Sequence, residues 1–187
     1  MNVPPIYQAL HQGAAAALRE TLANLPTAYL SLASMFREVC ADPDAHWPHP
    51  LFLLNTSDLQ TDGALSEVQL VGWQFLAKAD GERAYAIEIH GNLNGNHCQM
   101  ARLAHGPFVD SLWHALNNPD LLELLNASGR YLALLIVGEL DKQFAWIRAV
   151  NPTQEFLFAL PLVSDFPALY QVKQFEEAMR QELLPAG

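Results

Sequence analysis

Basic residues are scarce in this 187-residue chain, which has ten Lys and Arg against twenty Asp and Glu and a formal net charge of −10. The only lysines are Lys78, Lys142 and Lys173, and the arginines are scattered along the chain. Nucleic-acid binding requires clustered cations that displace counterions from phosphates, and anionic membranes attract similar clusters. We therefore expect neither a nucleic acid nor a membrane as partner.

Cysteine and long apolar runs are nearly absent as well. The two cysteines, Cys40 and Cys98, cannot form a disulfide framework. The longest apolar run, residues 131–137, has the length of a strand and falls far short of the roughly 20 residues of a membrane span. The N-terminus lacks the basic start and apolar segment of a signal peptide. These features predict a cytoplasmic protein with reduced thiols.

Charge of either sign is also limited, because charged residues make up 16% of the chain, against about 25% in a typical soluble domain. Apolar residues make up 51%, which excludes intrinsic disorder. The low charge agrees with a surface hidden in an oligomer or a partner interface. It agrees equally with a monomer whose surface is rich in Ser, Asn and Gln.

Apolar residues at helical spacing predict several helices. The first covers residues 5–24 and ends at Pro26, and Thr27 is expected to cap a second helix that reaches residue 40. Residues 41–50 contain three prolines and are predicted as loop, followed by a short optional strand at 51–54. Later helices are expected from Gly106-Pro107, from the cap Asn118 through residue 125, and over 166–184 after the cap Asp165.

Two three-stranded meanders are predicted between these helices. The first has strands at 67–78, 83–90 and 97–104, joined by Asp80-Gly81 and Asn94-Gly95, which are typical of two-residue hairpin turns. The second covers 130–140, 144–150 and 155–160. The fold class is therefore α+β with antiparallel sheet, in the order α-α-(β)-βββ-α-βββ-α and with helices packed on the sheet. We interpret residues 1–187 as a single domain, with a helical pair (1–40), a Pro/His-rich loop (41–63) and a sheet-and-helix body (66–184).

The two-residue turns also predict a register for the first meander, since loop length fixes which residues face each other. His90 then pairs with Gln99, Trp73 lies opposite Glu88, and Phe75 lies opposite Ala86. Both faces of the first strand carry apolar side chains, whereas a sheet with one wet face alternates more cleanly. We therefore expect helices or a second subunit to cover both sides. Cys98 is expected to lie with Met100 on an apolar face.

One face of this meander is the candidate ligand-binding site. Its residues are Trp73, Glu88, His90, His97 and Gln99. Two imidazoles and a carboxylate can bind a metal or transfer a proton. The same side chains equally describe the polar end of a hairpin, and no third metal ligand is fixed by the sequence. Metal binding therefore stays open, while no cofactor is expected.

Other chemically suggestive patterns are weaker, and no catalytic residue is predicted. His46 and His49 have the spacing of metal ligands on a helix, but Pro48 and Pro50 disfavour helix there. Ser111 and His114 lie within a predicted helix, whereas nucleophilic serines favour sharp turns.

The C-terminal part of the chain carries a resemblance to a known family. A helix ends in Leu-Leu-Glu-Leu-Leu-Asn (121–126), strands follow, and Phe-Leu-Phe-Ala-Leu-Pro (156–161) leads into an acidic amphipathic helix. With the order α-βββ-α-βββ-α over residues 66–184, this small acidic chain resembles the single-effector chaperones of type III secretion. The resemblance implies a non-catalytic homodimer that holds an extended segment of a secreted partner on hydrophobic patches. It does not extend to the N-terminal helices or the Pro/His-rich loop, and it assigns no individual residue.

Two hypotheses about function result. The first is a non-enzymatic binding protein, either chaperone-like or a protein-interaction module, whose apolar sheet or helix surface binds another polypeptide or a second copy of the chain. The alternative is a small-molecule-binding or metal-binding domain with a polar site around His90 and His97.

Overall fold

The computed structural model describes residues 7–24, 30–41, 48–78, 83–92, 94–126, 129–140, 142–161 and 169–183. These residues form five helices, which are α1 (Gln8–Ala23), α2 (Leu30–Ala41), α3 (Pro107–Leu116), α4 (Pro119–Asn126) and α5 (Val172–Leu183). They also form eight strands, which are β1 (His49–Leu54), β2 (Gln69–Lys78), β3 (Ala84–His90), β4 (Gln99–His105), β5 (Tyr131–Val137), β6 (Lys142–Arg148), β7 (Phe156–Leu160) and β8 (Tyr170–Gln171). The α+β class predicted from the sequence is confirmed.

The chain divides into two compact units, and the first comprises residues 1–50 and 71–114. Its strands are antiparallel in the order β4-β3-β2, and β4 covers Gln99–His105 where the sequence predicts 97–104. Helix α1 lies against β3 and β4. The ring of His11 on α1 lies 4.7 Å from the ring of Trp73 and 6.4 Å from that of Phe75, measured between centroids. Helix α1 therefore covers the face of β2 that carries these two aromatic residues.

Both faces of β2 are buried, as the sequence predicts. Trp73 and Phe75 on one face are 1% and 0% exposed, and Gln74 and Leu76 on the other are 0% and 2% exposed. Each fully buried apolar side chain contributes about 1.5–3 kcal/mol to folding. This burial is reached within one copy of the chain, so the apolar strand by itself does not require a second subunit.

The second unit comprises residues 51–70 and 115–187. Its strands lie in the order β1-β5-β6-β7-β8, with β1 parallel to β5 and every other pair antiparallel. Strands β5, β6 and β7 are neighbours in the predicted order, but β1 and β8 flank them, so the predicted three-stranded layout is not matched exactly. Helix α5 lies against β7 and β8, and the ring of Phe175 on α5 meets that of Phe144 on β6 edge to face at 4.9 Å.

Several details differ from the prediction. The optional strand at 51–54 begins at His49 and pairs with β5, whose partner residues lie some eighty positions further along the chain. Tyr170 and Gln171 form the short strand β8, although the apolar spacing predicts helix from 166 to 184, and α5 begins only at Val172. The cap at Asn118 is confirmed, because its Oδ1 accepts the Asp120 N–H at 2.9 Å. The predicted caps Thr27 and Asp165 lie outside the described residues.

Glu155 is a buried carboxylate at the turn between β6 and β7. It accepts hydrogen bonds from the indole N–H of Trp146 at 3.0 Å and from the backbone N–H of Ala149 at 3.4 Å. The Arg148 side chain lies 3.7 Å from the same carboxylate. Burial raises the pKa of Glu155 in spite of these partners, because the loss of hydration outweighs the attraction of Arg148.

This raised pKa predicts an unusual pH dependence for one carboxyl group. A carboxyl whose pKa is higher in the folded state stabilises the fold below its unfolded pKa of about 4.3, and the contribution is lost as pH rises through the folded value. We expect the difference in unfolding free energy between wild type and Glu155→Gln to favour the wild type more at pH 4 than at pH 7. Urea denaturation at both pH values measures it, and a difference that is unchanged or reversed contradicts the prediction.

Candidate functional site

The register of the β2–β3 hairpin differs from the predicted one by a single residue. Trp73 pairs with Ile89, and Gln74 pairs with Glu88. The predicted pairs Trp73–Glu88 and Phe75–Ala86 are therefore wrong. A two-residue turn at Asp80-Gly81 would give the predicted register, but β2 ends at Lys78 and β3 starts at Ala84, so the connection has five residues. Asp80 and Gly81 themselves lie outside the described residues.

This shift separates the predicted site residues. Side chains of directly paired residues share a face, so Trp73 lies on the face of Ile89 and away from Glu88. Gln74 takes the place beside Glu88 that Trp73 was expected to occupy. The sequence does not reveal the error, because β2 carries bulky side chains on both faces and either register buries an apolar set.

His97 is also absent from the predicted face. Strands β3 and β4 are joined by residues 91–98, and β4 begins only at Gln99. Gly95 has φ +73° and His97 has φ +57°, so positive φ occurs outside the two residues of the predicted Asn94-Gly95 turn. His97 is exposed in this loop. The predicted pair His90–Gln99 is confirmed, and Gln99 is exposed.

Cys98 lies at the end of the same loop instead of in the apolar face of a strand. Its thiol is free and half-buried, and its Sγ lies 3.4 Å from the carbonyl oxygen of Gly95, to which it donates. Partial burial raises the pKa of the Cys98 thiol. A thiol held protonated in this way is a poor nucleophile.

Glu88 is the centre of a polar cluster across β2, β3 and β4. It is 4% exposed, and its Oε1 accepts hydrogen bonds from Gln74 Nε2 at 3.2 Å and from the guanidinium of Arg102. Arg102 pairs directly with Glu88, and Met100 pairs with Ile89, so Ala101 between them forms a β-bulge. The sequence prediction missed Gln74 and Arg102, since both positions depend on the register and on the bulge.

Two polar atoms near this cluster have no hydrogen-bond partner within the described part of the chain. They are Oε1 of Gln74 and Nε2 of His90, and both are buried. His90 lies two residues from Glu88 on the same face of β3. Within the described ranges, no three His, Cys, Asp or Glu side chains come together as a metal site would require.

The remaining candidates have simple structural settings. His49 lies in β1 and is 0% exposed, and burial lowers its pKa to about 3, so that it is neutral at physiological pH. His46 lies outside the described residues. Ser111 is half-buried and His114 is exposed on α3.

Strand β4 has one side that faces away from β3, its neighbour in the first unit. Within the first unit β4 ends the strand order β4-β3-β2, and it has seven residues. Residues 99–102 of β4 are all exposed, and the bulge at Ala101 puts Gln99 and Arg102 on one face and Met100 on the other. Met100 is 40% exposed, and among the described residues Val150, at 90%, is the only other exposed large hydrophobic side chain.

No protein-family model, curated protein or solved structure matches the chain. In the part of the chain that the structure describes, each helix is too short or too polar to cross a bilayer.

On the side of β4 that faces away from β3, a row of backbone N–H and C=O groups has no strand partner among the described residues of the first unit. Such a row can pair with an added strand. Natural edge strands are commonly guarded by lysine, proline or short length, and β4 carries neither lysine nor proline. Its bulge at Ala101 and the cation at Arg102 are the two guarding features it does have. The sequence holds a weak signal for this edge, because the segment 99–105 lacks the apolar run of a buried strand.

Proposed function

We propose that this protein is a non-enzymatic binding module that takes up an extended segment of another polypeptide along the open edge of β4. The observation that carries the proposal is the exposure of residues 99–102 on a seven-residue end strand. Main-chain hydrogen bonds would supply affinity, and the side chains that flank the edge would supply selectivity.

The separation of the predicted polar site supports a binding function over a catalytic one. The carboxylate of Glu88 accepts hydrogen bonds from Gln74 and Arg102. These partners occupy the positions from which a general base would take a proton. Trp73 and His97 lie away from Glu88. The proposed function is of the class expected from the sequence, a polypeptide-binding module. The proposed binding surface is the edge of β4 instead of an apolar sheet or helix face.

Two matched variants test the proposal with a synthetic peptide. The probe is a seven-residue peptide of alternating valine and serine, and a version with proline at the central position cannot pair as a strand and serves as negative control. Met100→Lys puts a charge on the edge and is expected to weaken binding at least tenfold. Val150→Lys makes the same charge change at a side chain that is 90% exposed in the second unit, and it should bind like the wild type.

Calorimetry of the three proteins with each of the two peptides distinguishes strand addition at β4 from other modes of binding. Binding of the valine/serine peptide by wild type and Val150→Lys, with loss in Met100→Lys and with the proline peptide, supports strand addition. Equal binding by both lysine variants would contradict it, as would equal binding of the proline peptide.

A second candidate function is a small-molecule site on the Glu88 face, the remainder of the polar site expected around His90. The buried atoms Gln74 Oε1 and His90 Nε2 favour such a site. Buried polar atoms in native proteins are nearly always hydrogen-bonded, so a bound molecule could supply the partner that these two atoms lack. His90→Phe should then abolish binding of any small polar compound found by ligand-observed NMR screening while β4 still binds the peptide. Unchanged compound binding in His90→Phe would exclude this site.

A further inference from the structure

The side chains that flank the open edge of β4 differ between its two faces. Met100 and Leu103 pair with Ile89 and Ile87 and therefore share the face that α1 covers in part. Gln99 and Arg102 lie on the opposite face with His90 and Glu88. A strand added to β4 would thus meet apolar side chains on one face and a cation on the other.

Arg102 is the charged group that such a strand would approach most closely. Its side chain is 45% exposed, while that of its partner Glu88 is 5% exposed. A guanidinium has five N–H donors in a planar fork, and the contact with Glu88 uses Nη2. Strand β4 itself contains no carboxylate. The accessible charge along this edge is therefore positive, in a chain with twice as many acidic as basic residues.

Two electrostatic effects then oppose each other for a charged partner. The net charge of −10 repels an acidic segment at long range, whereas Arg102 attracts a carboxylate at the directly opposite position of an added strand. Cβ atoms of such cross-strand pairs lie roughly 4.5–5.5 Å apart. At physiological salt the screening length is about 8 Å, so distant charges are weakened while the cross-strand contact is not. The contact between Arg102 and the side chain directly opposite it therefore determines which charged segment binds more tightly.

We infer that the segment bound at β4 alternates apolar and acidic side chains, with its apolar row beside Met100 and Leu103 and a carboxylate beside Arg102. This inference rests on the proposed function of β4. A lysine at the same position would lie against Arg102 as a like charge, which destabilises cross-strand pairs. A second copy of this chain is a poor occupant, because β4 offers no acidic residue to face Arg102.

Three synthetic peptides of seven residues test the inference, with valine alternating with glutamate, lysine or serine. In 0.15 M NaCl, wild-type protein should bind the glutamate peptide on the order of tenfold more tightly than the lysine peptide, with the serine peptide between them. In the double variant Glu88→Gln, Arg102→Gln the pair of charges is replaced by neutral amides, and the preference should fall below twofold. Arg102→Lys keeps the positive charge and should therefore bind the three peptides in the same order of affinity as the wild type. This variant provides a second measurement if the double variant does not fold.

The three peptides separate the acidic preference from strand addition itself. Equal binding of all three by the wild type, or tighter binding of the lysine peptide, overturns the acidic preference and leaves strand addition standing. Failure of all three to bind overturns strand addition. Lower salt should reduce the ratio of the affinity for the glutamate peptide to that for the lysine peptide. The reason is that the net charge of −10 then repels the glutamate peptide over a longer distance.

Discussion

Acidification from pH 6.5 to pH 5 should cost this protein about 2 kcal/mol of unfolding free energy through His49 alone, and His49→Leu should remove that loss. His49 lies in β1 and is 0% exposed, with no hydrogen-bond partner for either ring nitrogen within the described residues. Burial without a partner lowers its pKa from 6.5 to about 3. Between these two values the unfolded chain binds a proton that the folded chain does not, so stability rises with pH by about 1.4 kcal/mol per unit.

The variant isolates this contribution because other ionisable groups are common to both proteins. At pH 7, His49→Leu should be as stable as the wild type or more stable by about 1–3 kcal/mol, since an apolar side chain replaces unpaired buried nitrogens. The advantage should grow as pH falls. His114→Leu, at an exposed position on α3, is the matched control. Urea denaturation at pH 7, 6 and 5 measures all three, and parallel curves for wild type and His49→Leu would contradict the prediction.

Gly13→Ala should destabilise the protein by about 1–3 kcal/mol, although glycine to alanine within a helix ordinarily stabilises by about 0.5–1 kcal/mol. A Cβ at Gly13 in α1 would lie 2.3 Å from the carbonyl oxygen of Gly95 in the loop between β3 and β4. Gly95 in turn approaches the carbonyl oxygen of Ala9 so closely that its own Cβ would lie at 2.3 Å. The two backbones are therefore in contact, and neither has a flexible side chain that can move aside.

The control for Gly13→Ala is Gln12→Ala, at an exposed neighbour on the same helix. This change should alter stability by less than about 0.5 kcal/mol, because it touches no packed surface. Thermal and urea unfolding of the three proteins distinguish the outcomes by sign. A Gly13→Ala protein more stable than the wild type would show that α1 and the loop do not make this contact.

The elements of the fold were largely predictable from local patterns. Apolar alternation and turn residues located strands β2 to β7, and the asparagine before Pro119 located a helix cap that the structure contains. The parallel pairing of β1 with β5 was not predictable, because nothing in the local sequence at 49–54 specifies a partner so far along the chain. Strand β8 was missed because Leu169 and Tyr170 fit the apolar spacing of the helix that follows.

The candidate site was less predictable, since it depends on register. A connection of five residues instead of two between β2 and β3 moves Trp73 to the opposite face and brings Gln74 to Glu88. The bulge at Ala101 then places Arg102 beside Glu88. Neither the loop length nor the bulge has a distinctive sequence signal here. The pairing of His90 with Gln99 was predicted correctly although the loop that joins them is longer than a two-residue turn.

Amide hydrogen exchange of β4 with and without the valine/glutamate peptide tests strand addition most directly. Those N–H groups of residues 99–105 that point away from β3 should exchange rapidly in the free protein and become protected when the peptide binds, because they then donate to its carbonyl groups. Amides that already bond to β3 should change little. Protection that appears elsewhere in the protein, with the outward amides of β4 still in rapid exchange, would contradict strand addition at this edge.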